Sequence, residues 1–427
     1  MTSDIGNQMY RDMVELFPVP RSLTGNGVRL TLQYFKSKVP SMTIMSVPTG
    51  TKAYDWEVPD EWSVKAASIT DAKGNVLVDY RDNNLHLMGY SIPFEGVLSR
   101  DELEKHLYSI PKFPDRIPYV TSYYERRWGF CVSEESKQKL GSGPFKVSID
   151  TSLKPGEMNY GEIKIKGSSE KEVLLSTYVC HPSMASNELS GPIVLAHLAM
   201  WLEAQKNLRY SYRILFLVET LGSIYYISKN KDQLKNNVIA GWVLTCLGDD
   251  AKFSYVPTRN SDTLTNYVSE KVLSKEDKNF KMYTWLDRGS DERQYNAPGI
   301  DLPIGSVMRS KYGEFPEYHT SADNLNFTSG NALEKSLSIY KKLILEIERT
   351  KIYRLKVLCE PHLSPRNMYP SLSTVDSTNE VKNLMNVISM IDGRTSDEEL
   401  ARKCDISLNE VNEILEKLTK NELVEEI

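Results

Sequence analysis

Apolar residues recur at helical spacing in two stretches near the start of the chain: Met9, Met13 and Leu16 within residues 3–17, then Val28, Leu32 and Phe35 within residues 26–38. One apolar stripe per stretch predicts two amphipathic helices. Between them PVPRSLTGNG, rich in Pro, Gly and small polar residues, predicts a connecting loop. From about residue 53 to 145 the pattern shifts to short alternating or β-branched runs, SVKAASI, NVLVDY, YVTSYY, WGFCV and FKVSI, broken by Pro, Gly and Asp. They predict a compact, strand-rich unit. From 158 to 350, strand-like runs (EIKIKG, EVLLSTYV, YRILFLV, VIAGWVLTCL) alternate with helical ones (PIVLAHLAMWLEAQKN, NALEKSLSIYKKLILEIERT). That rhythm predicts an α/β unit, a mixed or parallel sheet with helices on both faces.

The last zone, about 362 to 427, differs again. SPRNMYPSLSTVD reads as a linker, and three short amphipathic segments follow, NEVKNLMNVISMID, SDEELARKC and SLNEVNEILEKLTKNELVEEI. Their spacing predicts a helix-turn-helix with a wing. The segment in the place of a recognition helix carries six glutamates (Glu410, Glu413, Glu416, Glu422, Glu425, Glu426) against two lysines. A helix that must neutralise phosphates is not built so, and a packing or protein-contact role, including a homo-oligomer contact, is expected in place of nucleic-acid binding.

Composition narrows the classes. At 427 residues the chain exceeds the roughly 250–300 residues that one core serves, so two or three domains are expected. A formal charge of −5 gives no electrostatic reason to expect nucleic acid or an anionic membrane as partner. No stretch approaches the roughly 18–20 apolar residues of a spanning helix, and MTSDIGNQMYRDM has neither a basic start nor an apolar core, so a cytoplasmic protein is expected. The five cysteines are scattered without a CxxC pair, which argues for reduced thiols and against a thiolate metal site.

The candidate chemistry lies in the α/β zone. In STYVCHPSMASNELSG, His181 follows an apolar strand, where open α/β sheets place reactive groups. FLVETLGS puts Glu219 at the end of the next apolar run, an expensive place for a carboxylate without a task. TWLDRGSDERQY gathers Asp287, Arg288, Asp291, Glu292 and Arg293 around a Gly-Ser pair, and EYHTSADN supplies His319 and Asp323. Two histidines and several carboxylates at strand ends make a zinc constellation. No single spacing is diagnostic: a lone histidine in such a loop is more often held by a local hydrogen bond. The Asp/Arg loop reads equally well as an ion-pair network. The aromatic set Tyr123, Tyr124, Trp128 and Phe130 reads first as core of the small β unit.

The order of these motifs resembles the co-catalytic zinc aminopeptidases. More closely, PVPRSLTGNGVR, DWEVPDEW, TSYYERRWGFCV, YVCHPSMASNELSG, VETLGSI, LDRGSDERQY and PEYHTSADN together resemble the bacterial polysaccharide biosynthesis proteins with an aminopeptidase-like domain, over nearly the whole chain. The resemblance implies a three-layer zinc-exopeptidase-like domain formed by residues 1–52 and 146–358, an inserted β-rich domain at 53–145 and a winged-helix domain at 362–427. It implies that His181 and His319 are metal ligands and that Glu219 is the general base. Asn187 falls where the aminopeptidases have a bridging aspartate, Thr220 where they have a second glutamate, and no acid stands near Thr245 or Cys246; Asp249 is the nearest. A neutral amide cannot bridge two dications, so one zinc per chain is expected, held by His181, His319 and an oxygen of Asn187 or Glu188. Asp287, Arg288, Asp291 and Arg293, with Arg126, are the expected substrate contacts. The function these features imply is zinc-dependent hydrolysis of a peptide or amide bond in a small substrate, in surface-polysaccharide metabolism. The alternative is a binding or scaffold protein that kept the peptidase fold.

Overall fold

All seven residues of the strand Glu172–Tyr178 are buried, as a central strand covered on both faces requires. In the computed structural model, which describes residues 4–368, 375–393 and 395–426, this strand lies between two parallel neighbours, Ser211–Leu217 and Val238–Val243. Ile304–Met308 continues the parallel block beside Val238–Val243. Antiparallel strands close both flanks. Glu157–Ile165 and then Thr43–Pro48 lie beyond Ser211–Leu217, while Ser254–Val256 and Lys281–Met282 lie beyond Ile304–Met308. The result is the mixed eight-stranded sheet that the alternation of runs predicts.

The two predicted helices form at Asp4–Leu16 and Asn26–Lys38. Asp4–Leu16 packs with Ser190–Glu203 and Gly330–Arg349, and Asp12 ties three of these helices together. Its carboxylate accepts hydrogen bonds from Tyr34 Oη (2.8 Å), Lys38 Nζ (2.9 Å) and His197 Nε2 (2.9 Å).

In the inserted unit Glu61–Asp71 and Phe145–Lys154 pair at the centre of a four-stranded antiparallel sheet, flanked by Val76–Asp79 and Phe94–Leu98. The small sheet therefore reaches to Lys154. Its inner residues Trp62, Ile69, Val147 and Ile149 belong to the same hydrophobic cluster as the main sheet. Trp128 and Phe130 are core residues, Trp128 stacked between His106 and Phe94 at ring separations of 3.7 and 4.3 Å. YVTSYY, expected as a strand, forms none: it is an irregular segment with one isolated bridge, Thr121 to Gly89, and a second just before it, Pro118 to Thr320.

Three helices, Val375–Met390, Asp397–Cys404 and Leu408–Lys420, build the tail around its own core of Leu384, Val387, Leu400, Val411, Leu415 and Leu418. The wing pairs Val424–Glu426 with Tyr353–Leu355, a strand that precedes the linker. The expected linker SPRNMYPSLSTVD lies partly outside the described residues, and Val375 already begins a helix. Lys271 fastens the tail to the α/β unit, pairing with Glu398 at 2.6 Å and Glu346 at 2.7 Å. Among the described residues no helix is long and apolar enough to cross a membrane.

Candidate metal and catalytic site

Three adjacent parallel strands end at Tyr178, Leu217 and Val243, and the chain just past them carries His181, Glu219 and Cys246. This is the carboxyl edge of the parallel block, where α/β sheets hold ligands. The backbone around it is under local strain. Thr220 has φ +64° and ψ −70°, closed by Leu221 N donating to Glu219 O at 2.8 Å, a rare tight turn for a β-branched residue. Ser183, Cys246 and His319 also have positive φ. Each such conformation costs about 1–3 kcal/mol and persists where the surroundings impose it, most often at functional sites. Residues Ala185–Leu189 form a π-helical turn before the helix Ser190–Glu203, another feature frequent at such sites. Gly191 is needed there: a Cβ would sit 2.3 Å from Leu244 O.

His181 is 4% exposed. Its Nδ1 lies 2.6 Å from Glu188 Oε2, while Nε2 looks towards Glu219 Oε2 at 3.6 Å. Burial opposes a charge on this ring, but Cys180 and Glu188 beside it hold its pKa well above the ordinary histidine value. Glu188 is fixed in turn by Arg21, whose Nε donates to Glu188 Oε1 (3.1 Å) and to His181 O (2.9 Å). His319 faces His181 with ring centres 5.3 Å apart. Burial, and then the charge of His181, push its pKa well below the ordinary value, so the ring keeps a free lone pair. Tyr318 stacks on it at 3.8 Å.

The Asn187 side chain points its Nδ2 at Tyr178 Oη (3.4 Å) and Cys246 Sγ (3.6 Å). Its Oδ1 is buried and has no hydrogen-bond partner, an orphaned acceptor of the kind that a cation satisfies. Glu219 accepts from Ser290 Oγ at 3.0 Å. Although 22% of its side chain remains exposed, burial raises its pKa above the usual glutamate range, against the opposing pull of His181.

Most of the remaining acids accept hydrogen bonds from the protein itself. Asp323 accepts the backbone N–H groups of Ser186 (2.7 Å) and Asn187 (2.9 Å), and burial pushes its pKa up to about 7. Asp249 accepts from Ser186 Oγ, Ser310 Oγ and Ala251 N. Asp291 accepts from Thr220 N (2.7 Å) and Ser223 Oγ (2.9 Å), its Oδ2 left without a partner; burial and the nearby Glu219 raise its pKa to about 7. Cys246 is a thiol, its pKa raised to about 12 by burial.

Of the expected substrate contacts, Asp291 and Arg293 come to the site, Arg293 through a 2.8 Å bond to Thr220 Oγ1. Asp287 and Arg288 are not brought to it. Both are exposed; Asp287 caps the turn at Thr284, and Arg288 lies over the Trp285 ring at 4.9 Å. No hydrogen bond or ion pair links either to the histidines. Arg126 is exposed as well.

Two groups escaped sequence reasoning. Arg21 is one. The other is the inserted segment around Tyr119, which covers the site: Tyr119 N donates to His319 O (2.9 Å), Ser321 N to Ile117 O (2.9 Å), and the Tyr119 ring lies 5.2 Å from His181 and 5.1 Å from His319. Its hydroxyl pairs with Tyr123 Oη at 2.8 Å, so Tyr123 belongs to the roof of the site as well as to the small β unit. A cavity of about 580 Å³ at the opposite ends of the strands, by Val238 and Ile352, contains none of these residues.

By donor type, two imidazoles and an unpartnered amide oxygen suit a single zinc ion with a position left for water.

Residues 10–350 match the model of a domain of unknown function, DUF4910, and residues 351–426 match a winged helix-turn-helix model. A Clostridium acetobutylicum protein, provisionally named a polysaccharide biosynthesis protein with aminopeptidase-like domain, is 40% identical over 425 residues, covering 99% of this chain and 97% of its own. A crystal structure provisionally titled as a peptidase from Clostridium acetobutylicum superposes with a TM-score of 0.82 at 39% identity, covering 100% of this chain and 97% of the other. A zinc aminopeptidase from Bacillus subtilis shares the fold at a TM-score of 0.58 and 11% identity, covering 81% of this chain and 96% of its own.

Proposed function

From the premise that the chain belongs to the family of polysaccharide biosynthesis proteins with an aminopeptidase-like domain, we propose that it is a hydrolase of peptide or amide bonds that uses one zinc ion. The observation that carries this reading is the buried, unpartnered Oδ1 of Asn187 at the strand ends where the rings of His181 and His319 lie 5.3 Å apart. His181 Nε2, the ring of His319 and Asn187 Oδ1 would hold the ion. When bound, zinc would lower the pKa of a coordinated water and polarise a substrate carbonyl.

Glu219 does the proton work. Its carboxylate faces the ligand ring of His181, is steadied by Ser290, and has a raised pKa suited to a group that takes a proton and returns it to a leaving amine. Arg293, exposed beside Thr220, is placed to meet a carboxylate on the substrate. Tyr119 and Tyr123 wall the site and exclude water from one side. A small peptide-like or N-acylated substrate suits a site roofed in this way, and the name of the relative suggests polysaccharide biosynthesis as its setting.

Metal analysis by elemental mass spectrometry, on protein purified without chelator, tests the reading. About one zinc per chain is expected, together with amide-bond cleavage that falls at least about a hundredfold in Glu219→Gln. Zinc-free protein even after zinc is supplied, or turnover indifferent to Glu219→Gln, would leave the scaffold reading in its place.

A further inference from the structure

We infer that Arg21 and Glu188 form a buried positioning pair that keeps a proton on His181 Nδ1 and so directs Nε2 to the metal. The purpose of the pair rests on the zinc reading above, while its geometry does not. Both side chains have no exposure. Glu188 Oε2 receives the backbone N–H of His181 and stands 2.6 Å from Nδ1. An ionised carboxylate only accepts, so the hydrogen in that contact belongs to the ring. The next neighbour of Nδ1 is Cys180 Sγ at 3.5 Å, a much weaker partner. Glu188 Oε1 receives Arg21 Nε, which also donates to His181 O, and Arg21 Nη1 donates to Leu16 O at 2.7 Å. One guanidinium therefore anchors both the carboxylate and the backbone of the residue that it orients.

Hydrogen bonding of the far ring nitrogen to a carboxylate is how proteins fix the orientation of a ligand histidine and raise its basicity. In this chain the carboxylate is fully buried, and its Oε1 is matched by the equally buried Arg21 guanidinium at 3.1 Å. The same arrangement takes Glu188 out of the ligand set. Cys180, His181 and Glu188 offer donor atoms within 4.8 Å of one another, but the guanidinium of Arg21 lies against Glu188 and opposes a cation there.

The test uses full-length protein with ¹⁵N-labelled histidine, with His181 assigned by loss of its signals in His181→Gln. A downfield-shifted proton on His181 Nδ1 is expected in metal-free protein and is expected to survive zinc addition, while the Nε2 resonance moves. Removing one partner alone leaves a buried charge and threatens folding, so the informative variant is the double one, Arg21→Met with Glu188→Met. It is expected to lose the downfield Nδ1 proton and to bind zinc about 10–100-fold more weakly in competition with a chelator. Unchanged zinc affinity and an unchanged Nδ1 signal in that variant would overturn the inference, as would loss of the Nδ1 proton when zinc binds to wild type. If wild type takes up no zinc yet the Nδ1 proton depends on the pair, the positioning role stands and the zinc reading fails.

Discussion

Asn187 is the residue on which the metal count turns. Its neighbours have nothing to spare, because Asp323 and Asp249 are committed to backbone and serine donors. Asn187→Asp places an anion at the orphaned acceptor without changing shape. Zinc should bind at least tenfold more tightly; a chelator competition that finds equal affinity in both proteins would remove Asn187 from the ligand set. At this scale the sequence was legible where a polar residue interrupts an apolar run at a strand end, which is how His181 and Glu219 stand out. It was silent where the partner is remote. Arg21 meets Glu188 across 167 positions, and nothing in PVPRSLTG marks its arginine as buried rather than solvated. Asp287 and Asp291, four apart in one motif, could not be told apart until the turn at Thr284 captured the first.

Among the elements, the clamp at Asp12 is the plainest device. Burial alone would raise the pKa of this carboxyl, but hydrogen bonds from His197, Lys38, Tyr34 and Gln8 outweigh it and hold the group well below the usual carboxylate range. A carboxyl depressed in the folded state contributes its full stability above the unfolded-chain value of about 3.9 and loses it as pH falls further, since the unfolded chain takes up the proton first. Urea midpoints measured from pH 6 down to pH 3 should therefore fall more steeply below about pH 4 in wild type than in Asp12→Asn; parallel curves would show that the clamp does not matter. Helices and central strands were predictable because their apolar period is sustained over several turns or fully buried. YVTSYY was not, since a run of aromatic and β-branched residues suits a strand and equally suits a segment whose rings must reach into a site.

For the molecule as a whole, Lys271 joins the tail to the α/β unit by bridging Glu346 and Glu398. Pairs this exposed contribute up to about 1 kcal/mol each. In Lys271→Ala the amides at the Ile352–Ser396 bridge should exchange several-fold faster, while the melting of the main unit is unchanged; equal exchange in both proteins would mean that the tail is held by its other contacts alone. Contacts of the tail with the α/β unit run through Glu398 and Glu426, which pair with Lys271 and Arg209.

The roof that the insertion lays over His319 also sets a timetable for synthesis. Arg21 waits for Glu188, the strand Thr43–Pro48 has no partner until Glu157–Ile165 emerges, and Tyr119 finds its place only when His319 has been made. At ribosomal speeds of about 5–20 residues per second, the interval from Arg21 to His319 lasts roughly 15–60 s. Until residue 165 has emerged, the strand Thr43–Pro48 is an unpaired edge. Assembly of the site is thereby deferred until three-quarters of the chain exists, since His319 and the roof over it come last.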